Sequence, residues 1–220
     1  MRKEYKKNVP TILIGFFMCL TVYLIITKAV QSGQPLKLDQ AFLPFISSVA
    51  GTWMYGFFYK LTEMGSTIIL GVCALILVLW LWISKKDYLA MAVVSIGVAG
   101  SDQLNRFVKG IIERDRPSIN AAIDAVGYSF PSGHAMVSIT CYGLAVYFIG
   151  KHIKSTFLKN LFRIVLCLLV LLIGLSRIVL KAHYPTDVLA GYSLGGAIVI
   201  ACVLFYSWFT NKGRGYPKRV

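Results

Sequence analysis

The sequence predicts an all-α, polytopic membrane protein, with six transmembrane helices and short interfacial helices between the first and second spans. Three observations carry this. Hydrophobic residues make up 57% of the 220 residues and charged residues only 15%, against roughly 25% charged in a soluble domain. The apolar residues gather into six long runs, most of them near the ~20 residues a bilayer requires. The basic residues behind the formal net charge of +14 lie between those runs, not on one polar face. That placement excludes a nucleic-acid partner and favours anionic membrane lipid.

The first span covers about Pro10–Thr27 and follows a basic start. It is too long for the apolar core of a signal peptide, and no small-residue cleavage site follows. The second and third spans, about Ser66–Ile83 and Tyr88–Val108, flank a Lys85-Lys86 turn. The third carries Asp102, Asn105 and Arg106 in its last two turns. Polar groups at that depth face a bundle interior or a wet cavity. Asp102 is therefore expected to have a partner and to support a site without touching its ligand. The remaining spans are about His134–Gly150, Leu161–Leu175 and Asp187–Phe209.

Residues 36–64 are too polar and too broken for a further span. Phe42, Phe45, Trp53, Tyr55, Phe57, Phe58 and Tyr59 make the segment aromatic, and Pro44 and Gly51 interrupt it. Aromatic rings favour the headgroup level, so one or two short helices on the outer surface are expected, as an anchor or as a lid. There is no internal repeat, and residues 1–220 read as one domain. All five cysteines sit in apolar runs with no C-x-x-C pair, which suits small buried hydrophobes rather than disulfides or zinc.

Loop charge orients the chain. Fourteen of the 23 Lys and Arg residues fall in the N-terminus, the Lys85-Lys86 turn, the 151–163 loop and the C-terminal tail. Those regions should be cytoplasmic in a multi-pass cell-membrane protein, leaving the opposite ends of the helices extracytoplasmic.

Three short stretches at those opposite ends carry phosphate chemistry. In the first, Lys109 closes the third span and Arg116-Pro117 follows in a loop. Lys offers a compact charge and Arg a planar fork matched to phosphate oxygens. Alone, such a pair reads as snorkelling anchors. The second, Pro131-Ser132-Gly133-His134, precedes the fourth span. Ser132 suits an N-cap, Gly133 permits close backbone approach, and a helix start favours an anion. The third holds Ser176-Arg177 at the end of the fifth span, then His183, Tyr184-Pro185 and Asp187. Pro185 suits the first helical turn, so His183 precedes the helix while Asp187 reaches back to its ring. A carboxylate there fixes the imidazole tautomer and supports its cationic form. Of the three histidines, only His152 lies elsewhere, in the cytoplasmic Lys151–Lys154 loop.

Together these residues resemble the type 2 phosphatidic acid phosphatase superfamily. Its signature, K-x(6)-R-P, then P-S-G-H, then S-R-x(5)-H-x(3)-D, is matched at every position by Lys109 to Pro117, Pro131 to His134, and Ser176 to Asp187. The resemblance implies His183 as nucleophile, Asp187 as its orienting carboxylate, and His134 as the group that protonates the leaving oxygen. It implies that Lys109, Arg116, Ser132, Gly133 and Arg177 hold the phosphoryl oxygens, with no cofactor and no metal. Within the superfamily, the chain resembles the bacterial phosphatidylglycerophosphate phosphatase B type and the undecaprenyl pyrophosphate phosphatases. The implied substrate is a lipid phosphate or pyrophosphate (phosphatidylglycerophosphate, phosphatidic acid or undecaprenyl pyrophosphate), and no obligate protein partner is expected. Two alternatives remain: a lipid phosphotransferase sharing the phosphohistidine, and a non-catalytic lipid-phosphate binder or transporter.

Overall fold

The computed structural model describes residues 2–49, 52–118, 123 and 125–213. The expected break at Gly51 and the basic residues Arg214, Lys218 and Arg219 lie outside them. Among the described residues the chain is helical, without strands, as its composition predicts. Helix α1 spans Arg2–Gln31. Three short helices follow, α2 (Lys37–Ala41), α3 (Leu43–Val49) and α4 (Trp53–Leu61), and then a 3-10 turn at Thr62–Gly65. The interfacial segment thus holds more helices than the one or two expected, and Phe42 separates α2 from α3. Helix α5 (Thr67–Trp80) continues into a π-helical turn at Leu81–Lys85. The long helices α6 (Tyr88–Ile112), α7 (Gly133–Gly150), α8 (Thr156–Val179) and α9 (Pro185–Gly213) complete the bundle.

Among the described residues five helices are long and apolar enough to cross a membrane, α1, α5 with its π turn, α7, α8 and α9, and the bent pair Lys37–Val49 and Trp53–Gly65 would make a sixth if it forms one span. The third expected span, α6, has 25 residues, a rise of about 37 Å. It falls short in apolarity, not length, because Asp102, Arg106 and Lys109 occupy its last turns.

Local chemistry sets the helix ends. Ser66, Asp87, Ser132 and Ser155 cap α5, α6, α7 and α8, each accepting a backbone N–H three residues ahead. Glu113 ends α6 in the left-handed region at φ 50°. At the other end of the bundle, Asp87 also accepts from the Tyr206 hydroxyl at 2.5 Å, and Lys151 donates to that hydroxyl at 3.1 Å. His152, expected as a solvated residue, is exposed but packs edge-on against Trp80.

Helix α7 lies at the centre, flanked by α5, α6, α8 and α9. Lipid is as apolar as leucine, so helices in a membrane associate through close packing and interhelical hydrogen bonds. Both occur here. Ser101 on α6 bonds Thr140 on α7 at 3.1 Å. On α9, Gly191 and Gly195 press against the start of α7: a Cβ at Gly191 would stand 2.6 Å from the Ser132 carbonyl oxygen. Large apolar side chains such as Phe17, Ile68, Ile96 and Leu168 point outward, as a lipid-facing surface requires.

The contact at Gly191 makes a direct prediction. Gly191→Ala forces backbone, not a flexible side chain, to move. It should destabilise the detergent-solubilised protein by about 1–3 kcal/mol, read as a lower thermal midpoint. An unchanged midpoint would show that α7 and α9 are not packed this closely.

Candidate active site

The three sequence stretches meet where α6 and α8 end and α7 and α9 begin. A polar cavity of about 270 Å³ opens there, and Lys109, Arg116, Gly133, His134 and His183 all line it. Ser132, Arg177 and Asp187 are fully buried in its supporting wall. The expected residues therefore converge, but in two layers.

The turn between α8 and α9 carries His183. Lys181 adopts the left-handed conformation, at φ 55°. The Ala182 and His183 backbone N–H groups both donate to the Arg177 carbonyl, at 3.0 and 3.1 Å. Arg116 reaches across from the α6–α7 connection and donates to the Ala182 carbonyl at 2.8 Å. It also donates to the Gly127 and Val126 carbonyls, at 2.9 and 3.0 Å. The same guanidinium nitrogen that holds Ala182 lies 3.1 Å from His183 Nε2. Arginine only donates, so Nε2 must offer its lone pair and the ring proton is assigned to Nδ1. Nδ1 faces Asp187 Oδ2 at 3.5 Å. That separation suits a charge pair and is long for a hydrogen bond.

Burial first, then the charges of Arg177, Arg116 and Lys109, push the His183 pKa well below the ordinary histidine value. The ring is therefore neutral at neutral pH, and Nε2 faces the cavity against the Arg116 guanidinium.

His134 is the second residue of α7 and also buried. Gly65 backs its ring: a Cβ there would meet His134 Cδ2 at 3.0 Å and collide with Ile173. Ser132 joins two helix starts, accepting from the Ala135 N–H at 3.4 Å and donating its own N–H to the Asp187 carbonyl at 3.0 Å. Asn105 Nδ2 donates to the Pro131 carbonyl at 3.1 Å. Its Oδ1 would lie 2.9 Å from a Cβ at Gly133, so a side chain there would make the Asn105 amide shift. Arg177 donates to Thr62 Oγ1 at 2.9 Å. Asp102 has the partner that its depth demands, Arg106, at 2.9 Å, and both line the cavity.

Sequence reasoning missed Arg114, Asp39 and Thr62. Arg114 pairs with Asp187 at 2.5 Å and with Asp39 at 2.6 Å, and its guanidinium stacks 4.1 Å from the Tyr184 ring centre. Burial alone would lower the Arg114 pKa, but Asp187 and Asp39 outweigh it and hold the guanidinium above its usual value. The only signal was the extra arginine in the Arg114-Asp115-Arg116 run, which does not say which arginine faces the histidine. Asp39 and Thr62 lie in the aromatic segment, far from any phosphate motif.

A second cavity, about 300 Å³, adjoins the first and shares Thr67, Leu70, Asp102 and Val137 with it. It continues between α5 and α6 past Ala74, Leu75 and Val98, and is almost wholly apolar. Among the described residues no cluster of three or more His, Cys, Asp or Glu side chains could hold a metal ion.

Comparison with known proteins agrees with this geometry. The chain is 32% identical over 190 residues to phosphatidylglycerophosphatase B of Bacillus subtilis, covering 84% of this chain and 89% of the relative. Its structure is similar, with a TM-score of 0.74 and 26% identity, to a crystal structure described as the first transmembrane PAP2 type phosphatidylglycerolphosphate phosphatase from Bacillus subtilis. That match covers 94% of this chain and 98% of the other. The PAP2 superfamily model matches residues 87–211, which hold every residue of the three motifs, so the chain belongs to the PAP2 superfamily.

Proposed function

We propose that this protein hydrolyses a lipid phosphate through a phosphohistidine on His183, with phosphatidylglycerophosphate as substrate. One observation carries the mechanism: Arg116 meets His183 Nε2 at 3.1 Å inside a cavity that also holds His134 and Lys109. A cation sits on the nucleophile's lone pair, where a phosphoryl oxygen can take its place. The two relatives support the substrate, since both carry phosphatidylglycerophosphate in their names.

In this reading the phosphate dianion enters the cavity and Arg116 turns from Nε2 to a phosphoryl oxygen. Lys109, the Arg177 charge and the α7 N-terminus around Gly133 and Ser132 share the remaining charge. The Nε2 lone pair attacks phosphorus, and the bond to the lipid oxygen breaks. As the bound phosphate dianion offsets the surrounding cations, His134 takes up a proton and gives it to that oxygen. Asp187 stabilises the positive charge growing on His183. Water then attacks the phosphohistidine, His134 takes up its proton, and orthophosphate leaves. The fixed cations supply the charge a metal would otherwise bring. The apolar cavity between α5 and α6 accepts the lipid tail.

A second substrate, undecaprenyl pyrophosphate, is favoured by Arg106 on the same wall as Lys109, where a second phosphate would need a cation. Its release at the outer face would also suit an extracytoplasmic site.

The mechanism is checked with purified protein in detergent, with EDTA present, against both lipids. Phosphate release should persist. His183→Ala should lower kcat on the order of 10³-fold or more, and acid quench of the wild type should trap phosphate on His183. Metal-dependent turnover, or wild-type turnover by His183→Ala, would refute the reading. The lipid with the higher kcat/KM decides the substrate.

The neutral state of His183 can be measured directly. The depressed pKa keeps His183 neutral until the pH falls well below about 6.5. In ¹⁵N-histidine-labelled protein, the His183 ring signals, assigned by their loss in His183→Ala, should show no protonation between pH 8 and about 6.5. A titration centred at or above the ordinary value would contradict a neutral nucleophile.

Sidedness follows from loop charge and helix order. Gln34 and Lys154 are exposed at opposite ends of the bundle. With the five native cysteines replaced, a membrane-impermeant thiol reagent on intact cells should label Gln34→Cys and spare Lys154→Cys. The reverse pattern would place the site in the cytoplasm.

A further inference from the structure

We propose that Asp39, on the interfacial helix α2, is a positioning residue for His183, acting through Arg114 and Thr186 on Asp187. The proposal rests on His183 being the nucleophile, as read above.

Asp39 is buried although it belongs to a five-residue helix in the aromatic segment. Both its oxygens are committed. Oδ1 accepts from the Thr186 N–H at 3.0 Å, in the first turn of α9. Oδ2 accepts from the Thr186 hydroxyl at 2.9 Å and from Arg114 Nη2 at 2.6 Å. Arg114 Nη1 then donates to Asp187 Oδ1 at 2.5 Å and to the Thr186 hydroxyl at 2.8 Å. The other Asp187 oxygen accepts from the Tyr184 N–H at 3.0 Å and is the one facing His183 Nδ1. Each atom that could rotate the Asp187 carboxylate away from the histidine is fixed, and the chain of bonds ends on Asp39.

Charge gives a second reason. Arg114 is shared between two carboxylates, so the group of Asp39, Arg114 and Asp187 carries one net negative charge. That charge faces the imidazole where positive charge grows during attack. Without Asp39, Arg114 would settle wholly on Asp187 and neutralise it. The loss would fall on the attack step rather than on binding, because none of the three residues lines the phosphate cavity. A cavity of about 410 Å³ lies on the far side, lined by Asp39, Arg114 and Tyr184, and gives small solutes access to the tie.

The test uses the full-length protein in detergent with phosphatidylglycerophosphate. Asp39→Ala and Asp39→Asn should lower kcat and the rate of acid-quenched phosphohistidine formation together, by about 10- to 100-fold. KM should stay within about threefold of wild type, a much smaller change. Arg114→Ala should fall similarly and regain activity when guanidinium is added, whereas Asp39→Ala should not. Wild-type kcat in folded Asp39→Ala or Asp39→Asn, or a loss confined to KM, would overturn the proposal. If neither Asp39 variant folds, Arg114→Ala decides it, and no restoration by guanidinium overturns it. Wild-type protein that forms no phosphohistidine would remove the underlying reading and this proposal with it. Wild-type protein that forms it while the variants match would remove this proposal alone.

Discussion

The buried carboxylate of Asp187 is the constraint on which the rest depends. A charge with no exposure costs several kcal/mol unless it is paired and hydrogen-bonded. Its partner, Arg114, comes from the connection after α6, and that arginine is in turn held by Asp39 from α2. One carboxylate therefore ties the interfacial segment, the α6–α7 connection and the start of α9 into one arrangement. The Ser132 N–H on the Asp187 carbonyl brings in the start of α7. Four separate stretches of chain have to be in place before this charge is satisfied.

Close helix packing makes that convergence possible. Gly191 and Gly195 let α9 lie against the opening turns of α7, and Gly65 leaves room for the His134 ring. Bulkier residues there would separate helix ends whose alignment defines the cavity. The polar floor of the site is built the same way: Asn105 braces the Pro131-Ser132-Gly133 turn, and Gly133 is the residue that lets it approach.

The aromatic segment at 36–64 was legible as interfacial, but its contribution to the site was not. Asp39 and Thr62 reach Arg114 and Arg177 across 75 and 115 positions of chain. No local periodicity encodes a contact at such separation. Nor does anything local separate Arg114 from Arg116. One pairs with Asp187 and Asp39, and the other meets His183 Nε2.

By itself the sequence determined the helical membrane class, because apolar runs of bilayer length admit little else, and it named the motif residues that converge at one end of the bundle, because the three motifs are short and chemically explicit. It also placed His183 before its helix, since proline at 185 fixes where α9 starts. Only the tertiary structure decided the layering. Lys109, Arg116, Gly133, His134 and His183 face the cavity, while Ser132, Arg177 and Asp187 stand behind it. The physical reason is that exposure at the end of a helix depends on what packs beside it. Here the neighbours are Thr62 and Asp39, which the chain delivers from outside the motifs, and Arg114, which lies in a spacer position that no motif specifies.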